Sequence, residues 1–295
     1  MTSGSRTVVG LGEVLWDMLP EGKQLGGAPA NFAYMCGLLG HHAVVASAIG
    51  ADALGEELHN RLAGLNLDTS LIQVSRQHPT GTVNVILDGE GQPKYEIREP
   101  VAWDFLLWTH EWQQFAARAD VICFGTLAQR SPVSRATIKA FLRASRSGAI
   151  RIFDVNLRQD FFSANVLAES LQLANVVKLN DTELPIVMRL LGFTANDERS
   201  SAGRLRDAFG LELVCVTRGS RGSLLVREGQ CDEHPGFSVR VQDLVGAGDA
   251  FTAALAHHLL RGSSLGVMNE AANRMGAWVA SQPGGTPRAD AEALW

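Results

Sequence analysis

"ADVICFGTLAQRSPVSRATIKAFLRASRSGAIRIFDVN", residues 119–156, reads as strand, helix, strand. "ADVICFG" and "AIRIFDVN" are apolar runs, which suits strands covered on both faces. "SPVSRATIKAFLRASRSG" between them reads as a helix. The rhythm continues in the strands "ANVVKLN" and "LELVCVTRG". It starts earlier, with "RTVVGLG", the helix of "GGAPANFAYMCGLLG", the strand "AVVASAIG" and the helix "ALGEELHNRLAGL". After the hairpin return "RGSLLVREGQ" come two helices, "AGDAFTAALAHHLLRG" and "LGVMNEAANRMGAWVASQ". Strands alternating with helices predict an α/β chain with a doubly wound, mostly parallel sheet flanked by helices. In such sheets ligands sit outside the carboxyl ends of the strands.

One stretch departs from the rhythm. "TGTVNVILDGEGQPKYEIREP", residues 80–100, alternates apolar and polar residues around "DGEG", a hairpin signal with one solvated face. With "EVLWDMLP" at 13–20 it forms a small β lid. The expected organisation is one domain over 1–295 with a discontinuous lid from about 13–25 and 78–100.

The bulk numbers agree. A chain of 295 residues, 46% hydrophobic and 19% charged, can bury the core of one large α/β domain. A net charge of −5 disfavours a general nucleic-acid binder. Cys36, Cys123, Cys215 and Cys231 form no CxxC pair, which argues against a zinc site or disulfide framework and fits a reducing compartment. "MTSGSRTVVGLGEVLWDMLP" at the N-terminus has no long apolar run. No signal peptide and no membrane span are expected, hence a cytoplasmic protein with no membrane partner.

Several motifs lead nowhere. Gly10-Leu11-Gly12 lacks the third glycine of a dinucleotide fingerprint, and "EVLWDML" is no helix. Gly262-Ser263-Ser264-Leu265-Gly266 matches a nucleophile elbow but follows a helix, so Ser264 is expected to cap the next helix instead. His41-His42 and His257-His258 lack metal-ligand partners and are read as helix-surface residues. There is no P-loop.

Gly246-Ala247-Gly248-Asp249 is different. A helix N-terminus offers unpaired N–H groups and partial positive charge, and glycines let an anion approach the backbone. Asp249 just inside is either a first-turn acid favoured by the helix dipole or a base taking a proton from an attacking hydroxyl. Its company favours the base. Asp154, Asn156 and Arg158 end one strand, Asn180 and Glu183 another, Thr217, Gly219 and Gly222 a third. Phosphoryl transfer asks for such positioning and charge stabilisation.

"GGAPANFA" and "DLVGAGDAF", some 215 residues apart, resemble the two signatures of the ribokinase-like carbohydrate kinases, the PfkB family. "LGEVLWD", "FGTLAQR", "DVNLR", "KLNDTEL", "VTRGSRGS" and "GGTPRAD" extend the resemblance over nearly the whole chain, with the flavour of bacterial fructokinases. The resemblance implies a ribokinase-like fold and an ATP-dependent sugar kinase, most similar to those acting on fructose. It makes Asp249 the catalytic base and the amides of Gly246, Ala247 and Gly248 the anion hole. Asp17, Gly27 and Asn31 would hold the sugar, and Arg98 on the outgoing lid strand would reach it in the closed state or else be a solvated lid charge. Arg158, Asn180, Thr217, Gly219, Gly222 and Asn273 would serve the nucleotide, and Glu183 would reach Mg²⁺ through water. ATP and Mg²⁺ are implied, and dependence on a monovalent cation stays open. So does a homodimer through the open edges of the lid. Leu244-Val245 stand where the family has a polar pair, so no side-chain role is expected there. Asp243 would support the loop. Other acceptors (ribose, 2-keto-3-deoxygluconate, a nucleoside), a non-catalytic sensor and, weakest, a nicotinamide oxidoreductase remain alternatives.

Overall fold

The computed structural model describes residues 5–20, 22–87, 93–194 and 196–289. The expected "DGEG" hairpin tip at 88–91 lies outside the described residues. In chain order the elements are β1 (Thr7–Leu11), β2 (Leu15–Leu19), β3 (Gly22–Gly26), α1 (Ala28–Leu38), β4 (His42–Gly50), α2 (Ala53–Gly64), β5 (Ile72–Ser75), β6 (Gly81–Leu87) and β7 (Pro93–Ile97). Then follow α3 (His110–Ala116), β8 (Val121–Phe124), α4 (Pro132–Ala144), β9 (Ile150–Asp154), α5 (Ala164–Leu173), β10 (Val176–Asn180), α6 (Glu183–Leu190) and α7 (Glu198–Phe209). The last are β11 (Leu213–Thr217), β12 (Ser223–Arg227), β13 (Gln230–His234), α8 (Ala247–Leu260) and α9 (Leu265–Ala280).

The main sheet runs β13-β12-β11-β10-β9-β8-β1-β4-β5. Every neighbouring pair from β11 to β5 is parallel, and β12 and β13 join antiparallel. Side chains alternate across the sheet. Val9, Val177 and Val214 enter one apolar core, while Val8, Val176 and Leu213 enter the other. Helices cover both faces, so the strands read as solid apolar runs. The second sheet, β3-β2-β6-β7, is built from two distant stretches of chain, because β2 pairs parallel with β6.

Gly10 shows why the Gly-x-Gly after β1 is not a cofactor motif. A Cβ there would lie 2.0 Å from the carbonyl oxygen of Pro29. The glycine lets α1 seat directly on β1. Gly10→Ala should therefore lower stability by about 1–3 kcal/mol through overpacking. Urea denaturation checks this, and an unchanged midpoint would remove the packing argument.

The histidines depart from the sequence expectation. His257 and His258 are 7% and 9% exposed, and His41 Nε2 lies 2.9 Å from His257 Nδ1. The last turn of α8 packs near the end of α1, a contact that helical periodicity does not reveal. Burial, then His41, His258 and Arg261, lowers His257 to about 4, so it is neutral. Ser264 does start α9, without a side-chain capping bond. Cys36, Cys123 and Cys215 are buried, Cys231 is exposed, and all four are free. Among the described residues no helix is long and apolar enough to cross a membrane.

Candidate active site

The two signatures meet. Gly27 precedes α1 with φ 107°, and a Cβ on it would fall 2.6 Å from the carbonyl oxygen of Glu13. Pro29 in the first turn sets the start of the helix. This points Asn31 inward, 3% exposed, and its Nδ2 donates to Asp249 Oδ2 at 2.8 Å across 218 residues of sequence. Gly246 precedes α8 in the left-handed region, φ 77°. A Cβ on Gly246 would meet the Cα of Gly285 at 2.6 Å, and one on Gly285 would meet Asn31 Nδ2 at 2.9 Å. The closing "GGTP" loop thus backs both signatures. Asp243 ties it on: its Oδ2 accepts from the Gly284 amide at 3.0 Å and its Oδ1 from the Val245 amide at 2.9 Å.

Asp249 faces a cleft of about 860 Å³ between the small sheet and the strand ends of the large one. Glu13, Asp17, Gly27, Asn31, Arg158, Lys178, Gly246 and Gly248 also line it. Leu19, Val83, Ile97, Leu244 and Val245 add apolar wall. The loop residues Leu244 and Val245 are 70% and 42% exposed there, so two apolar side chains stand open just before the glycine turn.

Burial, then the neighbouring Asp154, raises Asp249 to about 6, although the Asn31 hydrogen bond, Lys178 and Arg158 pull it down. Burial also raises Asp17 to about 6, with Arg158 lowering it and Asp243 raising it. Under Asp249 lies a buried ion pair. Lys178 Nζ sits 3.1 and 3.2 Å from the two oxygens of Asp154, and the Thr252 hydroxyl lies 3.1 Å from Asp154 Oδ2. Burial alone would lower the pKa of Lys178, but Asp154, Glu183 and Asp249 more than offset it and raise it. Lys178 also supports the glycine turn, since a Cβ on Gly248 would lie 3.0 Å from its Nζ.

The three amides expected to hold an anion are not alike. Ala247 N already donates to Leu244 O, at a long 3.3 Å. Among the described residues no hydrogen bond from the Gly246 or Gly248 amide is found. Two of the three amides are therefore bare, and an anion would have to displace a weak bond at the third.

Glu183 is 5% exposed and works as a clamp. Its Oε1 accepts from the Leu157 amide and its Oε2 from the Asn180 amide, both at 2.8 Å. Asn180 Oδ1 in turn accepts from the amides of Thr182 and Glu183. These bonds tie together the loops after β9 and β10. Arg158 reaches the cleft, flanked by Asn156 and Gln159 with φ 41° and 46°. Such left-handed backbone at non-glycine residues is costly and clusters at functional sites. Thr217 pairs in register with Asn180 one strand over, and Gly219 and Gly222 follow it outside the cleft proper. A Cβ on Gly222 would lie 1.9 Å from His234 O, so this glycine is needed for packing as well. The Asn273 amide donates to Ser223 Oγ and to Asn269, so it braces α9 against β12. Arg98 does not line the cleft. It is exposed, near enough to Asp52 to favour that carboxylate, and its carbonyl accepts from Arg130.

Sequence reasoning missed Glu13 and Lys178. A lysine inside the apolar run "ANVVKLN" is the one signal that could have found the ion pair. Glu13 was visible only as part of "LGEVLWD".

Residues 21–292 match the pfkB family carbohydrate kinase. The chain belongs to that family. As a pfkB kinase it is an ATP-dependent sugar kinase, with the expected large parallel sheet and second small sheet. A fructokinase of Salmonella typhimurium is 32% identical over 257 residues, 83% of this chain and 81% of that one. A fructokinase of Klebsiella pneumoniae is 31% identical over the same shares. Among solved structures, fructokinase with bound ATP from Xylella fastidiosa superimposes with a TM-score of 0.83 at 24% identity, covering 95% of this chain and 94% of that one. Fructokinase from Vibrio cholerae O395, in a form with fructose, ADP and calcium ion bound, gives 0.78 at 26% identity, covering 96% and 94%.

Proposed function

We propose that this pfkB kinase is a fructokinase, moving the γ-phosphoryl group of Mg·ATP to a primary hydroxyl of fructose. One observation carries the reading: a half-buried carboxyl, Asp249, stands in the first turn of α8 beside bare glycine amides, inside a cleft that also holds Asp17 and Asn31. Relatives at 31–32% identity bear the fructokinase name, and the V. cholerae protein holds fructose with ADP.

In this reading the sugar contacts Asp17, Gly27 and Asn31 beneath the small sheet. Asn31 holds Asp249 Oδ2, which leaves Oδ1 to take the proton of the attacking hydroxyl. The Gly246 and Gly248 amides and the α8 dipole face the charge that develops on the transferring group. Lys178 adds positive charge from below, and Arg158 faces the nucleotide phosphates. Asn180, Thr217, Gly219 and Gly222 line the path of the nucleotide, with Asn273 bracing its far end. Closure of the small sheet as a lid excludes water, and it would have to bring Arg98 inward.

Magnesium, brought in with ATP, would supply neutralisation of phosphate charge. Among the described residues no group of three or more His, Cys, Asp or Glu could hold a metal alone. Glu183 would reach the ion through water, while its bonds to the Leu157 and Asn180 amides hold the two loops together. Homodimerisation through the small sheet, whose edge strands are β3 and β7, belongs to the same proposal.

The test is ADP release with Mg·ATP against fructose, ribose, glucose, 2-keto-3-deoxygluconate, adenosine and no sugar. Turnover on fructose at least tenfold above the others is expected. Preference for another acceptor would keep the kinase and discard the sugar. ATP binding without turnover on any would favour a sensor.

A further inference from the structure

Glu13 sits in the turn between β1 and β2, where the chain passes from the large sheet to the small one. Its backbone is fixed by the flat face of Gly27 against its carbonyl. Its side chain is 3% exposed, yet it lines the same cleft as Asn31 and Asp249. Its Oε2 is buried and has no hydrogen-bond partner. Asn31 Oδ1, on the same cleft, is likewise buried without one. Two acceptors therefore share a floor that supplies no donor to either.

That arrangement is expensive for the empty protein. An unsatisfied buried acceptor costs about 1–3 kcal/mol, and more if charged. A leucine at residue 13 would avoid it. A polyol brings what is missing, since each of its hydroxyls is a donor. We infer that Glu13 is a further acceptor-binding residue, its unpartnered carboxyl oxygen accepting a hydrogen bond from a sugar hydroxyl other than the one phosphorylated.

The inference rests on the reading of the cleft as a sugar site. Electrostatics fits it. Burial, then Asp249, raises Glu13 to about 7, while its own backbone amide, Arg158 and Arg130 lower it. The empty site can thus keep the carboxyl partly protonated, and a hydroxyl donor draws that proton off. Glu13, Asp17 and Asp249 together also make a floor that suits an uncharged sugar better than a sugar acid.

The experiment compares wild type with Glu13→Gln and Glu13→Ala, after circular dichroism and thermal melting establish that each variant is folded. KM is measured for the preferred sugar and for ATP, and again for a set of its monodeoxy analogues. For Glu13→Gln the sugar KM should rise about tenfold or more, since a lost hydrogen bond to a charged group is worth about 1.5–3 kcal/mol. The ATP KM should stay within about twofold. One deoxy analogue should be poor for wild type, and its penalty should shrink in Glu13→Gln. A purely structural role would not produce that selective loss. A folded Glu13→Gln with unchanged sugar KM, or with equal deoxy penalties, overturns the inference and leaves the kinase reading standing. If wild type prefers another sugar, fructose falls and Glu13 is judged on that sugar. If wild type neither binds nor phosphorylates any polyol, both fall.

Discussion

Asp249→Asn should lower kcat by about 10²-fold or more while the KM for sugar and for ATP moves only a few-fold. The amide keeps the shape and can still meet Asn31, but it cannot take the proton of the attacking hydroxyl. Steady-state kinetics on the preferred sugar measures it, and near wild-type turnover would remove Asp249 from the chemistry. The wild-type pH profile belongs to the same expectation. Asp249 and Asp17 at about 6 and Glu13 at about 7 place the acid limb of kcat/KM between about pH 6 and 7, well above the range of ordinary carboxylates. Activity falls as pH drops through that window, because the base must be ionised. Stability moves the other way. The folded-state pKa of Asp249 is raised above its ordinary value of 3.8, so the charge burdens the folded state at high pH and not below about pH 4. Asp249→Asn should therefore stabilise the ligand-free protein by about 1–3 kcal/mol at pH 8, and the gain should fade as pH falls through about 6 toward 4.

Asp154→Ala should destabilise the fold by about 3 kcal/mol or more, because it leaves the Lys178 ammonium buried without its close partner. Lys178 and Asp154 side chains are only 10% and 6% exposed. The Thr252 hydroxyl would lose its carboxylate partner as well. Asp249 and Glu183 still favour the lysine charge, which keeps the loss from being larger. Replacing both members with apolar residues of similar volume, Lys178→Met with Asp154→Leu, should restore much of the stability and none of the activity. Urea denaturation of the single and double variants separates these outcomes. A single-variant loss under about 1 kcal/mol would mean that water reaches the pair.

The main sheet was legible because buried parallel strands are written as short apolar runs, as in Val121–Phe124 and Val176–Leu179. The small sheet was legible in β6 and β7 from their alternation. The signatures were legible through their resemblance to those of a known family, since each alone could be an ordinary glycine turn opening a helix. What stayed hidden depends on partners far away in the chain. No local pattern says that His257 will face His41, or that the Arg98 side chain will stand outside the cleft. Nor could spacing show that Glu183 accepts from two backbone amides, or that Ala247 N already has an acceptor. These are facts of tertiary contact.

The seat of Gly285 against Gly246 and Asn31 has a consequence for synthesis. The catalytic floor takes residues from both ends of the described chain, from Glu13 to the loop at 284–285. A nascent chain emerges from its N-terminus and can build β1, α1 and β4 early. It cannot close the floor until the last loop is out. A product that stops before Gly285 lacks that backing, and one that stops before α8 also leaves α1 without the surface that covers it.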